Sequence, residues 1–179
     1  MLTTDRLTLR PFGKTDLEAF AALHADPDSM RDYGAVMSRD QCEARLHRII
    51  EAWRRDGYGR YAIRYGGAFA GYAGVMRRED ADHPLGPHDE IGWRLLPRFW
   101  GRGLATEAAR AVLVHAVQDL GLRGILAYTA PDNHASQRVM ARLGLIRATE
   151  LDFAVPVPRY FEHWQGLVWR VPAHFGGIE

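Results

Sequence analysis

Cysteine is almost absent. Cys42 stands alone, so the chain can form no internal disulfide, and no cysteine–histidine set has the spacing of a zinc site. Lysine is as scarce: Lys14 is the only one among 23 basic residues. The arginine preference reads first as a compositional bias and second as a phosphate-binding surface. An excess of either charge is missing too. The 23 basic and 22 acidic residues leave a net charge of +1, so nothing chain-wide draws the protein to nucleic acid or to an anionic membrane. No apolar run approaches the ~18 residues of a membrane span, and Asp5, Arg6 and Arg10 interrupt the N-terminus where a signal peptide needs an apolar stretch. Repeats and low-complexity tracts are lacking as well. These absences exclude a disulfide-stapled secreted fold and a membrane protein. They leave the expectation of one cytoplasmic domain over residues 1–179, without metal, as a monomer or homodimer.

What is there suits one core: 179 residues, 47% hydrophobic and 25% charged. Residues 5 to 10 alternate and stop at Pro11, as a short strand does. Two helical patterns follow, the clearer one placing Cys42, Leu46, Ile49, Ile50 and Trp53 on one side. Residues 26 to 38 between them are turn-rich and read as irregular. The period then changes to two, predicting strands over 58–65, 68–78 and 89–96, the first two joined by the Gly66-Gly67 hairpin signal. A helix over 104–120, a strand over 124–130, a helix over 133–143 closed by Gly144, and strands near 145–154 and 166–171 complete the chain. A helical crossover makes the 124–130 strand parallel to the 89–96 strand. The pattern is a mixed α/β (α+β) sheet with helices packed on it.

Before the 104–120 helix stands RFWGRG, residues 98 to 103. A helix start leaves backbone N–H groups unpaired at the positive end of the peptide dipole. Gly101 and Gly103 let a bulky anion approach that start, and Arg98 and Arg102 add charge beside it. A tight strand-to-helix turn with no ligand would use the same glycines. A Walker loop fails because Leu104-Ala105 stands where Lys-Ser/Thr is required. A dinucleotide fingerprint fails because Thr106 occupies the third glycine position.

RFWGRG fits R/Q-x-x-G-x-G/A, and Asn133 to Ser136 supply N-x-x-S on the next helix. With TDRLTLRPF at the start, GYGRYAI at 57–63, EIGWRLLPRFWGRGLATEA at 90–108 and DNHASQRVMARLGL at 132–145, the chain resembles the GNAT superfamily of acyl-CoA-dependent N-acetyltransferases, in its ribosomal-protein (RimJ/RimL-like) branch. The resemblance implies a single GNAT-like domain: a mixed, mostly antiparallel sheet with helices on both faces, whose central parallel pair splays to admit acetyl-CoA. It implies that amides from Trp100 through Gly101, Arg102, Gly103 and Leu104 to Ala105 hold the pyrophosphate. The pantetheine arm would then pair with the backbone near Leu95 and Leu96, one of which would also offer the oxyanion N–H. Asn133 would bond a pantetheine amide; it would equally serve as the N-cap of its helix.

Acetyl transfer to an amine requires a neutral amine, a polarised thioester and a proton for the leaving thiolate. Glu90 stands off the apolar stripe of its strand, and the resemblance implies that it is the base, directly or through water; its other reading is a solvated carboxylate or an ion pair with Arg94. Where many members carry a tyrosine acid this chain has Met140, which leaves Ser136 as the acid implied, or as an ordinary helical serine. His88 is a second base candidate. His83 and His88 lack a third ligand for a metal. Trp53 and Trp169 fit core stripes, and Trp100 fits either the cofactor loop or the core. The expected activity is direct transfer to a primary amine, a peptide α-amine on the resemblance, with an antibiotic or polyamine as rival acceptors. A CoA-binding module without activity is a rival of another class, and a nucleotide-cofactor oxidoreductase a remote third. Residues 26–38, 79–88 and 152–165 are expected to shape the acceptor site.

Overall fold

The computed structural model describes residues 1–157 and 161–176. Strands β1 (Leu2–Thr3) and β2 (Leu7–Pro11) precede α1 (Leu17–Ala25), α2 (Pro27–Met30) and α3 (Arg39–Asp56). Then come β3 (Arg60–Tyr65), β4 (Ala68–Arg78), β5 (His88–Leu95), α4 (Leu104–Val114), β6 (Leu126–Thr129), α5 (His134–Arg142), β7 (Ile146–Arg147), β8 (Phe153–Val157) and β9 (Phe161–Arg170). The sheet runs β1-β2-β3-β4-β5-β6-β9-β7, with β8 beside β9. Every pairing is antiparallel except β5–β6.

Local chemistry accounts for most boundaries. Ser38 and Gln41 form a reciprocal capping box at the start of α3, each side chain accepting from the other's amide at 3.2 and 2.8 Å. Gly66 and Gly67, both at positive φ, turn β3 into β4. The sequence pattern missed α2, which lies inside the stretch read as irregular: the Asp26 carboxylate caps it by accepting from Ser29 N–H at 2.7 Å, and Pro27 supplies its first turn. The long helix ends earlier than its pattern. After Val114 it widens into a π turn over His115–Asp119, which buries Ala116 and Val117 and leaves Leu120 exposed.

Side-chain alternation sorts the layers. Tyr72 on β4 faces Phe20 and His24 of α1, stacked at 6.1 and 5.9 Å, while the intervening β4 residues turn to the face covered by α4. Leu9, Phe20, Ile63, Ile91, Leu104 and Leu113 are among the fully buried side chains that join these layers.

The β5–β6 contact positions everything that follows. These strands share one register pair, Glu90 with Leu126, and part beyond it. The Leu96 amide donates to the Ala70 carbonyl at 2.9 Å, so by alternation the main-chain groups of Trp93 and Leu95 turn the other way, into the gap. No β6 residue pairs with them. Among the described residues no helix is long and apolar enough to cross a membrane, and no His, Cys, Asp and Glu cluster could hold a metal.

Candidate active site

The glycine turn lies at the end of β5. Pro97–Phe99 form a 3-10 turn, after which Gly101 (φ +73°) and Gly103 (φ +75°) take left-handed conformations that only glycine adopts freely. Gly103 is the N-cap of α4, and the first bond back to it comes from Glu107 N–H at 3.0 Å. The amides of Leu104, Ala105 and Thr106 therefore have no carbonyl within the helix to meet. They open on a cavity of about 400 Å³ that Leu95, Trp100, Gly101 and Asn133 also line. Two hydroxyls in the same lining, Thr106 Oγ1 and Ser29 Oγ, are buried without a partner among the described residues. Unpaired donors around a concave helix start suit a ligand rich in acceptor oxygens.

Some expectations for this turn need correction. The Trp100 amide is committed to the Pro97 carbonyl at 2.9 Å, and its indole N–H to the Leu95 carbonyl at 2.7 Å. Leu96 is committed at both main-chain groups, to Ala70 and to Phe99 N–H, and the Leu95 carbonyl to Trp100, so the free backbone of the gap is that of Trp93 and the N–H of Leu95. Arg98 lies over the ring of Phe99, exposed and outside the cavity lining. Arg102 is exposed and outside it as well, its carbonyl accepting from Arg6. Among the described residues the cations that do line the cavity are Arg94, which is paired with Asp32, and Arg31, Arg138 and Arg142. The i,i+4 spacing of the last two on α5 was the available signal; nothing in the sequence singled out Arg31, which stacks on Trp100 at 5.2 Å.

A second cavity, of about 410 Å³, adjoins the first. Trp93, Arg94, Asn133 and Ser136 line both, so the two spaces meet between β5 and the first turn of α5. Asn133 fulfils its capping role, Oδ1 accepting from Ser136 N–H at 3.1 Å, which leaves its amide NH₂ directed elsewhere. The Ser136 hydroxyl stands at the junction, and Met140 is buried in the wall beyond it.

Glu90 lies in this second cavity, 7% exposed. Its partner is not Arg94, which instead grips Asp32 with both guanidinium nitrogens at 2.8 and 2.9 Å. Arg60 from β3 and Arg78 from β4 hold Glu90, at 3.3 and 2.5 Å. Burial pushes the carboxyl up, but the two guanidinium charges, with hydrogen bonds from Arg78 and Tyr128, outweigh it and hold the pKa below the usual carboxylate range. The phenol of Tyr128 is pushed well above its ordinary value by burial and by the Glu90 charge. Sequence reading passed over Arg60, Arg78 and Tyr128.

Gly92 makes room for this arrangement. The Arg60 guanidinium crosses its Cα and donates to the carbonyls of Gly74 and Gly92, the latter at 3.0 Å. A Cβ on Gly92 would sit 2.8 Å from both terminal nitrogens of Arg60. Gly92→Ala is therefore expected to push Arg60 off Glu90 and to lower the unfolding free energy by about 1–3 kcal/mol, measured by denaturant titration.

His88 is buried, with Nδ1 2.7 Å from the Gly86 carbonyl and Nε2 without a partner among the described residues. It lies behind His83 and Tyr128 at 4.9 and 5.8 Å, outside the cavity lining. Trp53 and Trp169 are core or half-buried residues, as their patterns suggested. Of the stretch 152–165, Val155 and Trp164 reach the second cavity, and residues 158–160 lie outside the described residues.

Comparison with known proteins agrees with this architecture. A model of the acetyltransferase (GNAT) domain matches residues 6–146. The uncharacterized N-acetyltransferase YnaD of Bacillus subtilis is 37% identical over 179 residues, 95% of each chain. FsC-acetyl coenzyme A-N(2)-transacetylase of Aspergillus fumigatus is 32% identical over 151 residues, 80% of this chain, and the match spans 64% of that protein's length. Among solved structures, the coenzyme A complex of RimL, the ribosomal L7/L12 alpha-N-protein acetyltransferase, shares the fold with a TM-score of 0.74 over 94% of each chain at 18% identity. The chain belongs to the GNAT family of acetyltransferases, and its cosubstrate is acetyl-CoA.

Proposed function

We propose that the protein transfers the acetyl group of acetyl-CoA directly to a primary α-amine, that of a peptide or protein N-terminus. The observation that carries this reading is the state of Glu90. A carboxylate clamped by two arginines, with its pKa below the ordinary range, is a weak base. His83, the histidine in the same lining, is also shifted downward, chiefly by burial. Such a site suits an amine that is already partly neutral. An α-amine of pKa ~7.8 is about one-tenth neutral at pH 7, whereas a lysine amine of pKa ~10.4 is neutral less than about one time in a thousand.

In this reading the amides from Gly101 to Thr106 hold the pyrophosphate, and the free main chain of Trp93 and the N–H of Leu95 run along the pantetheine arm beside the Asn133 amide. The thioester supplies an activated acetyl group where the two cavities meet. Glu90 orients the incoming amine through water, and the proton lost from nitrogen passes along that water to solvent. As the nitrogen–carbon bond forms and the carbon–sulfur bond breaks, Ser136 offers its hydroxyl to the departing sulfur. The chain needs no acyl-enzyme, since Cys42 is sealed in the core. RimL and the Aspergillus relative bear names that specify an α-N or N(2) position, which supports the same class of acceptor.

The test compares two peptides at pH 7: one with a free N-terminus and no lysine, the other N-acetylated and carrying one lysine. Free-thiol release is expected to favour the first by on the order of a hundredfold, following the neutral fractions. A preference for the lysine peptide or for a polyamine overturns the α-amine reading. Tight acetyl-CoA binding with no acceptor-dependent release overturns transfer itself.

A further inference from the structure

Among the described residues the acceptor cavity has more guanidinium groups than carboxylates to balance them. Arg45, Arg60, Arg78 and Arg94 line it, against Asp32 and Glu90. Glu90 takes two of the arginines and Asp32 takes the third. Arg45, which reaches in from α3, has no carboxylate within 4.0 Å among the described residues. Its polar contact is the Tyr33 hydroxyl at 3.3 Å, and its guanidinium lies 5.4 Å from the centre of that ring, while Arg94 approaches the same ring at 4.7 Å. Tyr33 thus spaces two arginines in the cavity wall, one neutralised and one not.

An unbalanced guanidinium in a half-enclosed space is a strong site for a planar anion, because its fork of N–H groups matches two carboxylate oxygens. The same charge repels a polycationic acceptor. We infer that the acceptor bears a carboxylate close to its reacting amine, and that Arg45 binds that carboxylate while Glu90 orients the amine. This rests on the transfer reading above and adds to it: polyamine and aminoglycoside-like acceptors are disfavoured, acidic N-terminal segments are favoured, and a free amino acid is admitted beside them. The carboxylate can come from the α-carboxyl of a free amino acid or from an acidic side chain near a peptide N-terminus.

The two sources are separated by two matched pairs of probes, titrated by calorimetry into the CoA-saturated protein so that no chemistry is required. One pair is alanine and alaninamide. The other is amidated Ala-Glu-Ala and amidated Ala-Gln-Ala. The carboxylate member of at least one pair is expected to bind at least tenfold more tightly. Arg45→Gln is expected to cut that preference below threefold while CoA binding stays unchanged, which also shows that the variant is folded. Arg45→Lys, which keeps the charge, is expected to retain part of the preference, and Arg45→Met, which removes the charge but keeps an unbranched stem, replaces the glutamine variant should that one lose CoA binding. Equal binding within both pairs, or a preference that survives loss of the Arg45 charge, overturns the inference. If the preference holds but no thiol is released, the transfer reading fails and the carboxylate site stands; if binding is equal within both pairs while Ala-Glu-Ala and Ala-Gln-Ala are acetylated with equal efficiency, the carboxylate site fails and transfer stands.

Discussion

Replacing Gly103 by valine is expected to weaken acetyl-CoA binding by at least a hundredfold while the rest of the domain stays folded. Gly103 caps α4 at φ +75°, a region that costs an L-residue about 1–2 kcal/mol and a β-branched one more. A Cβ there meets no closer atom than Arg6 Nη2 at 3.7 Å, so the first cost of the substitution is in the backbone and not in a clash at Cβ. The strain is relieved by turning φ negative, and that rotates the amides of Leu104, Ala105 and Thr106 away from the cavity. Each charge-assisted bond lost is worth about 1.5–3 kcal/mol, so two of them account for on the order of 10²–10⁴ in affinity. Calorimetry with acetyl-CoA and with CoA reads the loss, and a cooperative melt confirms the fold. Undiminished affinity in a folded Gly103→Val protein would remove the phosphate site from the helix mouth and, with it, the assignment of the adjoining cavities.

Glu90→Gln is expected to affect activity, stability and pH response together. It leaves Arg60, with only 8% of its side chain exposed, facing a neutral amide. Removing one partner of a buried ion pair costs roughly 3–5 kcal/mol; about 3 kcal/mol is expected here, because Arg78 is 40% exposed and regains water. Acetyl transfer is expected to fall at least tenfold, since the amine loses the charge that orients it. The folded pKa of Glu90 lies below its unfolded value of ~4.3. Its stabilisation is therefore complete above that value and is lost as the pH falls through the folded pKa. Thermal unfolding of wild type and variant should differ by a constant amount near neutrality, and the gap should narrow below about pH 4.3. A constant gap down through acid pH would mean that the carboxylate carries no linked charge, and unchanged turnover would remove Glu90 from the reaction.

Much of the fold was legible in the chain. The Gly66-Gly67 hairpin, the crossover that makes β5 and β6 parallel, and the glycine mouth of α4 follow from short-range spacing, because turns, caps and periodicity act over a few residues. Legibility ended where a local signal was overridden or overlooked. Asp26 and Pro27 are a cap and a first turn, yet the glycine and the polar run after them masked a helix only four residues long. Leu120 fits the 3.6-residue stripe, but the π turn rotates it outward. Leu96 and Trp100 lie next to the right amides, although their own hydrogen bonds are already made, that of the Leu96 amide to β4 and that of the Trp100 amide within the turn.

By itself the sequence determined that a strand, a glycine turn and a helix meet in that order, that Glu90 sits off the apolar stripe, and that Asn133 and Ser136 share the first turn of α5. Only the tertiary structure decided what those groups face. The partners of Glu90 come from β3 and β4 and the unbalanced guanidinium from α3, through sheet register and helix packing. Charge pairing depends on distance through space, and in a chain with 22 arginines among its 23 basic residues no spacing along the sequence tells which of them will arrive beside one carboxylate.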